Sequence, residues 1–204
     1  MEKELSTNLT EKDFNLSKVK LLPGGGIQVE YQVTCIMGDE PSVIERNETH
    51  TRDAHPDLLK LFEGLRGIVA VVFNITSFLA FLKSDEMKLS EPEKELAKKY
   101  AEELISMIDV RGVEWSNDRR SIVITATIEA PNGQKACVKT PRIGLVTLSF
   151  GFEGKLDYIV ESIKSEVYAY LFKGKQAQLS LFGEGSGEIG EIGEIGDLPD
   201  GKEE

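Results

Sequence analysis

The feature that most restricts the fold of this chain is the run from Ile27 to Met37, in which apolar residues occupy every second position. Alternation of this kind predicts a β-strand with one buried face and one polar face. The segment Pro23-Gly24-Gly25-Gly26 before it is typical of a turn, and the run from Leu16 to Leu22 before that turn is also strand-like. Together these runs predict a β-hairpin, with a third short strand around residues 42–45.

A second β-rich region is predicted between residues 110 and 152. Strand-forming residues are concentrated at 110–115, 121–130 and 135–140, and turn signals separate them at Asn117-Asp118 and at Pro131-Asn132-Gly133. A further strand is expected at 146–152. The β-branched run from Ile68 to Phe73 is interpreted as a buried strand.

Two helix starts are marked by their first-turn residues. Pro56 stands where a helix tolerates proline, and the residues after it form an apolar stripe of Leu58, Leu59, Leu61, Phe62 and Leu65. Gly64 and Gly67 weaken this helix and are expected to end it. Ser90 is suited to an N-cap, and acidic residues follow it in the first turn. The buried stripe of this second helix is expected at Leu96, Tyr100, Leu104 and either Met107 or Ile108.

The most regular helical pattern runs from residue 154 to 172, where apolar residues fall on one side. Gly174 follows it at a position suited to a left-handed C-cap. These segments together predict an α+β fold, in which an antiparallel sheet has helices packed on one face. The folded domain is expected to span residues 1–175.

The charge of the chain is concentrated at its C-terminal end. Residues 183–204 hold eight acidic residues and one lysine, a net charge of −7 that leaves −4 of the total of −11 for the rest. Such a mildly acidic body argues against a membrane-surface role or bulk coating of duplex DNA, since both need clustered lysine and arginine. The Gly-Glu-Ile repeat that begins at Gly187 has little apolar surface, so residues 183–204 are expected to be a disordered acidic tail.

The cysteines and the apolar segments indicate where the protein works. Cys35 and Cys137 belong to no CxxC pair, so we expect buried, reduced thiols, which suit a reducing cytosol. The first residues lack the apolar core of a signal peptide. The apolar stretch from Ile68 to Leu82 is too short and too polar to span a bilayer. These features predict a soluble cytoplasmic protein without a membrane partner.

No arrangement of nucleophile and base predicts catalysis. Both histidines lie in His50-x-x-Asp53-x-His55, a spacing compatible with metal binding but lacking a second cluster to complete the site. A turn that leads into a helix is the favoured interpretation. Gly24-Gly25-Gly26 lacks the lysine and hydroxyl residue that follow in a phosphate loop. We therefore expect neither an enzyme nor a bound metal or cofactor.

The segment Gln178-Leu179-Ser180-Leu181-Phe182 lies between the predicted end of the domain and the acidic tail. It resembles the clamp-binding pentapeptide of bacterial polymerases and mismatch-repair proteins. The resemblance implies that Gln178 forms a hydrogen bond in one pocket while Leu181 and Phe182 fill an apolar cleft. Large apolar side chains in a polar segment are in any case suited to a partner's pocket. The bacterial sliding clamp is the expected partner, and the alternative is that residues 176–182 fold back onto the domain as an edge strand.

A second possible partner is single-stranded DNA. Aromatic and basic residues on a sheet are what single-strand binding uses, but acidic residues interleave here, so residues 109–142 carry only +2, and a lone tryptophan also fits a core. The acidic tail is similar in composition to the partner-recruiting tail of bacterial single-stranded DNA-binding proteins, although it lacks their terminal Pro-Phe. Contacts with DNA are expected at Arg111, Trp115, Arg119, Arg120, Lys135 and Lys139.

Short motifs also suggest a biological setting. Asp53–Leu58, Val110–Val113 and Ala177–Phe182 resemble segments of a group of small phage and prophage proteins of unassigned role. The resemblance implies phage DNA metabolism, so the expected function is that of a clamp-binding accessory protein in replication or recombination. The alternatives are a single-stranded DNA-binding protein with a recruiting tail, and an antagonist of the host clamp or of a host defence protein.

Overall fold

The computed structural model describes residues 10–37, 40–75, 83, 88–130, 132–145 and 155–175. In this part of the chain, seven strands form one antiparallel sheet in the order β3-β2-β1-β4-β5-β6, with β7 beside the start of β5. The strands are β1 (Phe14–Leu21), β2 (Ile27–Met37), β3 (Glu40–His50), β4 (Ile108–Trp115), β5 (Ser121–Glu129), β6 (Lys135–Lys139) and β7 (Ile143–Gly144). The helices are α1 (Pro56–Gly64), α2 (Arg66–Val72), α3 (Glu91–Ser106) and α4 (Lys155–Phe172). The predicted α+β fold is confirmed.

The β1–β2 hairpin is closed by the glycine-rich turn that the sequence marks. Leu22 N–H donates to the Gly26 carbonyl at 2.8 Å, and Gly25 has a φ of +88°, a conformation that favours glycine. A side chain on Gly26 would lie 2.1 Å from the His50 carbonyl oxygen. The turn therefore needs glycine both for its backbone conformation and for its contact with the end of β3.

The sheet consists of two β-meanders that join through β1 and β4. Val19 stands opposite Val113 at this junction, and Lys18 stands opposite Glu114. Helices pack on one face, where the rings of Phe14, Tyr31, Tyr168 and Phe172 meet with centroid distances between 5.2 and 6.0 Å. Aliphatic residues of β1, β2, β4, β5 and the four helices complete one continuous core, to which β3 adds no buried residue. The opposite face carries mainly polar, half-buried side chains.

Two of the predicted elements differ from those observed. The run at residues 68–73 forms most of helix α2 and its C-cap rather than a strand. A short run of apolar residues buried on several sides shows neither the helical nor the strand period clearly. The strand expected at 42–45 is β3, which has 11 residues. Its length was missed because its core-facing positions hold Arg46, Glu48 and His50, opposite Tyr31, Val29 and Ile27 of β2.

Two predictions about burial are wrong. Of the stripe predicted on α3, Leu104 packs against the core and Ile108 is buried, but Leu96 and Tyr100 are 51% and 53% exposed, because α3 turns Ala97 and Ala101 towards the core instead. Cys137 is exposed and Cys35 is half-buried, so neither thiol is enclosed. The strand expected at 146–152 lies outside the described residues, as do residues 176–204. Among the described residues, no helix is both long and apolar enough to cross a membrane.

Candidate partner-binding region at the end of the domain

Helix α4 ends in a cap that turns the chain away from the helix axis. Gly174 has a φ of +68°, and the backbone N–H groups of Lys173 and Lys175 both donate to the Ala169 carbonyl, at 3.0 and 3.1 Å. A left-handed glycine at this position satisfies carbonyl groups that the last helical turn leaves open. The predicted C-cap is confirmed, and it sets the direction in which the chain continues towards Gln176.

Lys175 is held against two other elements by its side chain. Its Nζ lies 2.9 Å from Asp57 Oδ2 on α1 and 2.8 Å from Glu166 Oε2 on α4. Hydrogen bonds to Glu166 and to Asp57 raise the pKa of Lys175. The bond between Lys175 and Asp57 also lowers the pKa of Asp57. His55 joins this group, because its Nδ1 accepts from the Asp57 N–H at 3.2 Å and caps α1. We call these four residues the Lys175 cluster.

A second polar group lies beside the Lys175 cluster. His50 Nε2 is 3.2 Å from Glu48 Oε2, and the His50 ring packs edge-on against Tyr170 of α4. Tyr31 donates to Glu48 at 2.8 Å, and Tyr170 donates to the Arg52 carbonyl at 2.9 Å. Burial raises the pKa of both tyrosines. Both histidines of the chain therefore lie at the corner where the described domain ends.

The spacing His50-x-x-Asp53-x-His55 does not form a shared site. His55 instead groups with Asp57 and Glu166, whose potential ligand atoms lie within 4.8 Å of one another. The ammonium group of Lys175 already contacts both carboxylates, so their charge is balanced without a cation. Sequence reasoning missed Glu166, because only the packing of α4 against α1 brings it to Asp57.

No protein-family model, curated protein or solved structure matches this chain. A functional assignment therefore rests on its own residues. Of the segments that resemble phage proteins, Asp53–Leu58 covers the loop before α1 and the first three residues of that helix, and Val110–Val113 lies in β4, at its junction with β1.

The clamp-like peptide Gln178–Phe182 lies outside the described residues. Its starting point is nevertheless known, because only Gln176 and Ala177 stand between it and the anchored Lys175. Three Cα-to-Cα steps span at most roughly 11 Å. A partner that binds Gln178 must therefore approach the corner formed by β3, α1 and the end of α4.

Four of the six residues proposed to contact single-stranded DNA are buried or already have a partner within the chain. Trp115 is 9% exposed and belongs to the core, which leaves its ring no face for base stacking. Arg119 donates to the Leu16 carbonyl at 3.2 Å, and Arg111 forms an ion pair with Asp109. Lys135 pairs with Glu129 at 3.1 Å on edge strand β6, which also holds Lys139, and Arg120 lies in the β4–β5 turn.

Between α1 and β4 lies a pocket of about 170 Å³, lined by Leu21, Leu59, Phe62, Glu63, Arg66, Asp109, Val110 and Arg111. Small-molecule sites generally have volumes of about 300–1,000 Å³. The pocket also mixes two acidic and two basic side chains, so its lining favours no single ligand charge.

Replacing Lys175 with methionine is expected to lower Tm by about 1–4 °C, since the change leaves two acids without a counter-charge in a partly exposed site. The decrease in Tm relative to the parent should be largest between pH 3.8, the ordinary pKa of Asp57, and pH 10.5, the ordinary pKa of Lys175. It should shrink as pH falls through the lowered Asp57 pKa or rises through the raised Lys175 pKa. Thermal unfolding monitored by circular dichroism measures both effects. Lys99→Met, on the exposed side of α3, is the control, and an equal loss in both variants would contradict the assignment.

Truncation after Phe182 is expected to change Tm by less than about 1 °C, because the core formed by the described residues extends to the end of α4 and a tail rich in glycine and acids adds little burial. A matched truncation after Phe172 removes Gly174 and Lys175 and should lower Tm measurably. Differential scanning calorimetry of both variants provides the comparison. A decrease of several degrees in the first variant would mean that residues 183–204 pack on the domain.

Proposed function

We propose that this chain is a partner of the bacterial sliding clamp and attaches to it through Gln178–Phe182. The observation that carries the proposal is the position of this peptide, which begins three residues after the anchored Lys175 that follows the capped helix and ends just before the acidic tail of residues 183–204. The setting that follows is DNA replication or recombination, in which the chain is an accessory protein rather than a catalyst.

The apolar residues of the peptide support this assignment. The core already has its own aromatic group at the end of α4, formed by Phe14, Tyr31, Tyr168 and Phe172. Leu181 and Phe182 follow within ten residues, as the two adjacent large apolar side chains of a segment whose other apolar residues are Ala177 and Leu179. Burying such a side chain in a partner's pocket contributes about 1.5–3 kcal/mol. Gln178 adds a directed hydrogen bond, which gives specificity more than affinity.

The expected affinity is moderate. A short peptide loses conformational freedom when it docks, and this cost offsets much of what a few buried side chains contribute. A Kd of about 1 µM, equivalent to about −8 kcal/mol, is therefore expected. The Lys175 anchor limits part of that cost, since the chain is held in place as far as Lys175, three residues before Gln178.

Calorimetric titration of the full chain into a purified bacterial clamp tests the proposal. Deleting Gln178–Phe182 should abolish the heat of binding, and a synthetic peptide covering residues 175–184 should compete with the intact chain. Ser180→Ala, within the same segment, keeps every side chain to which a pocket contact is assigned and serves as the matched control. Absence of binding by the intact chain at tens of micromolar, roughly tenfold above the expected Kd, would refute the assignment.

A clamp-dependent DNA synthesis reaction then separates recruitment from inhibition. A recruited accessory protein leaves synthesis intact at saturating concentration, whereas an antagonist reduces it by occupying the pocket that the polymerase uses. The deletion variant should have no effect in either case, since it cannot dock.

A further inference from the structure

Strand β3 is an open edge of the sheet. Over its whole length, from Glu40 to His50, it pairs with β2 without a register shift, and no described residue pairs with its other side. Within the part of the chain that the structure describes, the backbone N–H and C=O groups on this side therefore have no sheet partner. Long, regular edges of this kind accept an additional strand unless their side chains oppose it.

The core-facing side chains of β3 determine which strand is acceptable. Arg46 and Glu48 are both half-buried on this side. Glu48 accepts a hydrogen bond from Tyr31, whereas Arg46 makes no hydrogen bond or ion pair with another described residue. An uncharged incoming strand would bury further surface around Arg46 without balancing its charge. The edge therefore favours a strand that offers an acid opposite Arg46 and a base opposite Glu48.

We propose that two copies of this chain pair through β3, antiparallel to each other and centred on Asn47. In this register Arg46 of each copy stands opposite Glu48 of the other, so the same two residues form two ion pairs across the axis. Asn47 meets its own copy on the opposite face, and Ile44 meets His50. Opposite charges in facing cross-strand positions are stabilising, and like charges are destabilising.

The neighbouring registers are less favourable. A shift by one residue would set core-facing side chains opposite solvent-facing ones, which a two-fold axis perpendicular to the sheet does not allow. Centring the pair on Glu45 or on Arg46 would place a charge directly opposite its own copy. The Asn47 register avoids both problems and joins the two sheets with their helices on the same side.

Cysteine cross-linking tests the register directly. In a background with Cys35 and Cys137 replaced by serine, Asn47→Cys should form a disulfide-linked dimer under mild oxidation, because facing Cα atoms lie about 4.5–5.5 Å apart. Thr49→Cys is the matched control, since both positions are exposed on the same face of β3. In the proposed dimer, position 49 of one copy and position 49 of the other are offset by four residues along the strands, roughly 13 Å. Equal cross-linking of the two variants, or none in either, would overturn the proposal.

Charge exchange provides the second test. Sedimentation equilibrium of Arg46→Glu should show association weakened by about tenfold or more, because two acidic pairs then face each other. The double variant Arg46→Glu/Glu48→Arg restores complementarity and should regain most of the association. A parent protein that stays monomeric at hundreds of micromolar, far above the Kd range of specific dimers, contradicts the proposal, as does a double variant no better than the single one. Capture of the edge by another strand, such as residues 176–182, would appear as a monomer in which Asn47→Cys does not cross-link.

Discussion

Replacing Leu181 and Phe182 together with alanine is expected to weaken clamp binding by at least about a hundredfold, since each 1.4 kcal/mol corresponds to tenfold. Each side chain contributes about 1.5–3 kcal/mol when it is fully buried in the clamp. Isothermal titration calorimetry measures the change, and the Tm of the chain should stay at the parent value. Gln178→Ala should cost less, about 0.5–1.5 kcal/mol, because it removes one hydrogen bond.

The comparison with Ser180→Ala makes this result specific. If the double variant binds as well as the parent, the peptide is not the attachment point. If all substitutions between Gln178 and Phe182 weaken binding equally, then the length or backbone of the segment matters rather than its apolar side chains. Only a loss concentrated at Leu181 and Phe182 agrees with docking into an apolar cleft.

Phe14→Ala is expected to lower the free energy of unfolding by about 3–5 kcal/mol, a large share of the 5–15 kcal/mol typical of a domain. Phe14 is fully buried, and its ring lies 5.2 Å from Tyr31, 5.6 Å from Tyr168 and 5.8 Å from Phe172. Its removal leaves a cavity that β1, β2 and α4 cannot all collapse to fill. Urea unfolding monitored by circular dichroism gives the magnitude.

The same substitution at Phe73 is the control. This ring is 37% exposed at the end of α2, so its loss should cost less than half as much. Similar losses at both positions would mean that the aromatic group around Phe14 does not hold α4 on the sheet.

The parts of the fold that could be predicted are those in which local pattern and tertiary environment agree. Strand β2 alternates because each second residue faces the core, and the Pro-Gly turn before it has few alternative conformations. Strand β3 follows the same geometry but has charged residues at core-facing positions, so its pattern is hidden until β2 is placed beside it. The prediction for helix α2 is wrong for the opposite reason, since this helix is apolar on too many sides for its sequence to show a helical period.

The candidate site also has one part that is a local sequence pattern and another part that only the folded structure brings together. Gln178–Phe182 is a local pattern of adjacent residues that the sequence alone displays, and its role stays a prediction. The Lys175 cluster joins Asp57 to residues more than a hundred positions later, and such a contact leaves no local pattern. Trp115 shows the reverse error, because neighbours in sequence suggested a DNA surface while the pleat of β4 turns its ring into the core.

The centre of the sheet has a consequence for the order in which the chain folds during synthesis. Val19 and Val113 pair there, although they are 94 residues apart. Ribosomes add about 5–20 residues per second, so β1 waits roughly 5–20 s for its partner. Throughout that interval the first meander has an unpaired inner edge and an apolar face not yet covered by α4. The nascent chain is therefore expected to depend on chaperones until its second half emerges, and slow pairing of distant strands should limit its refolding rate.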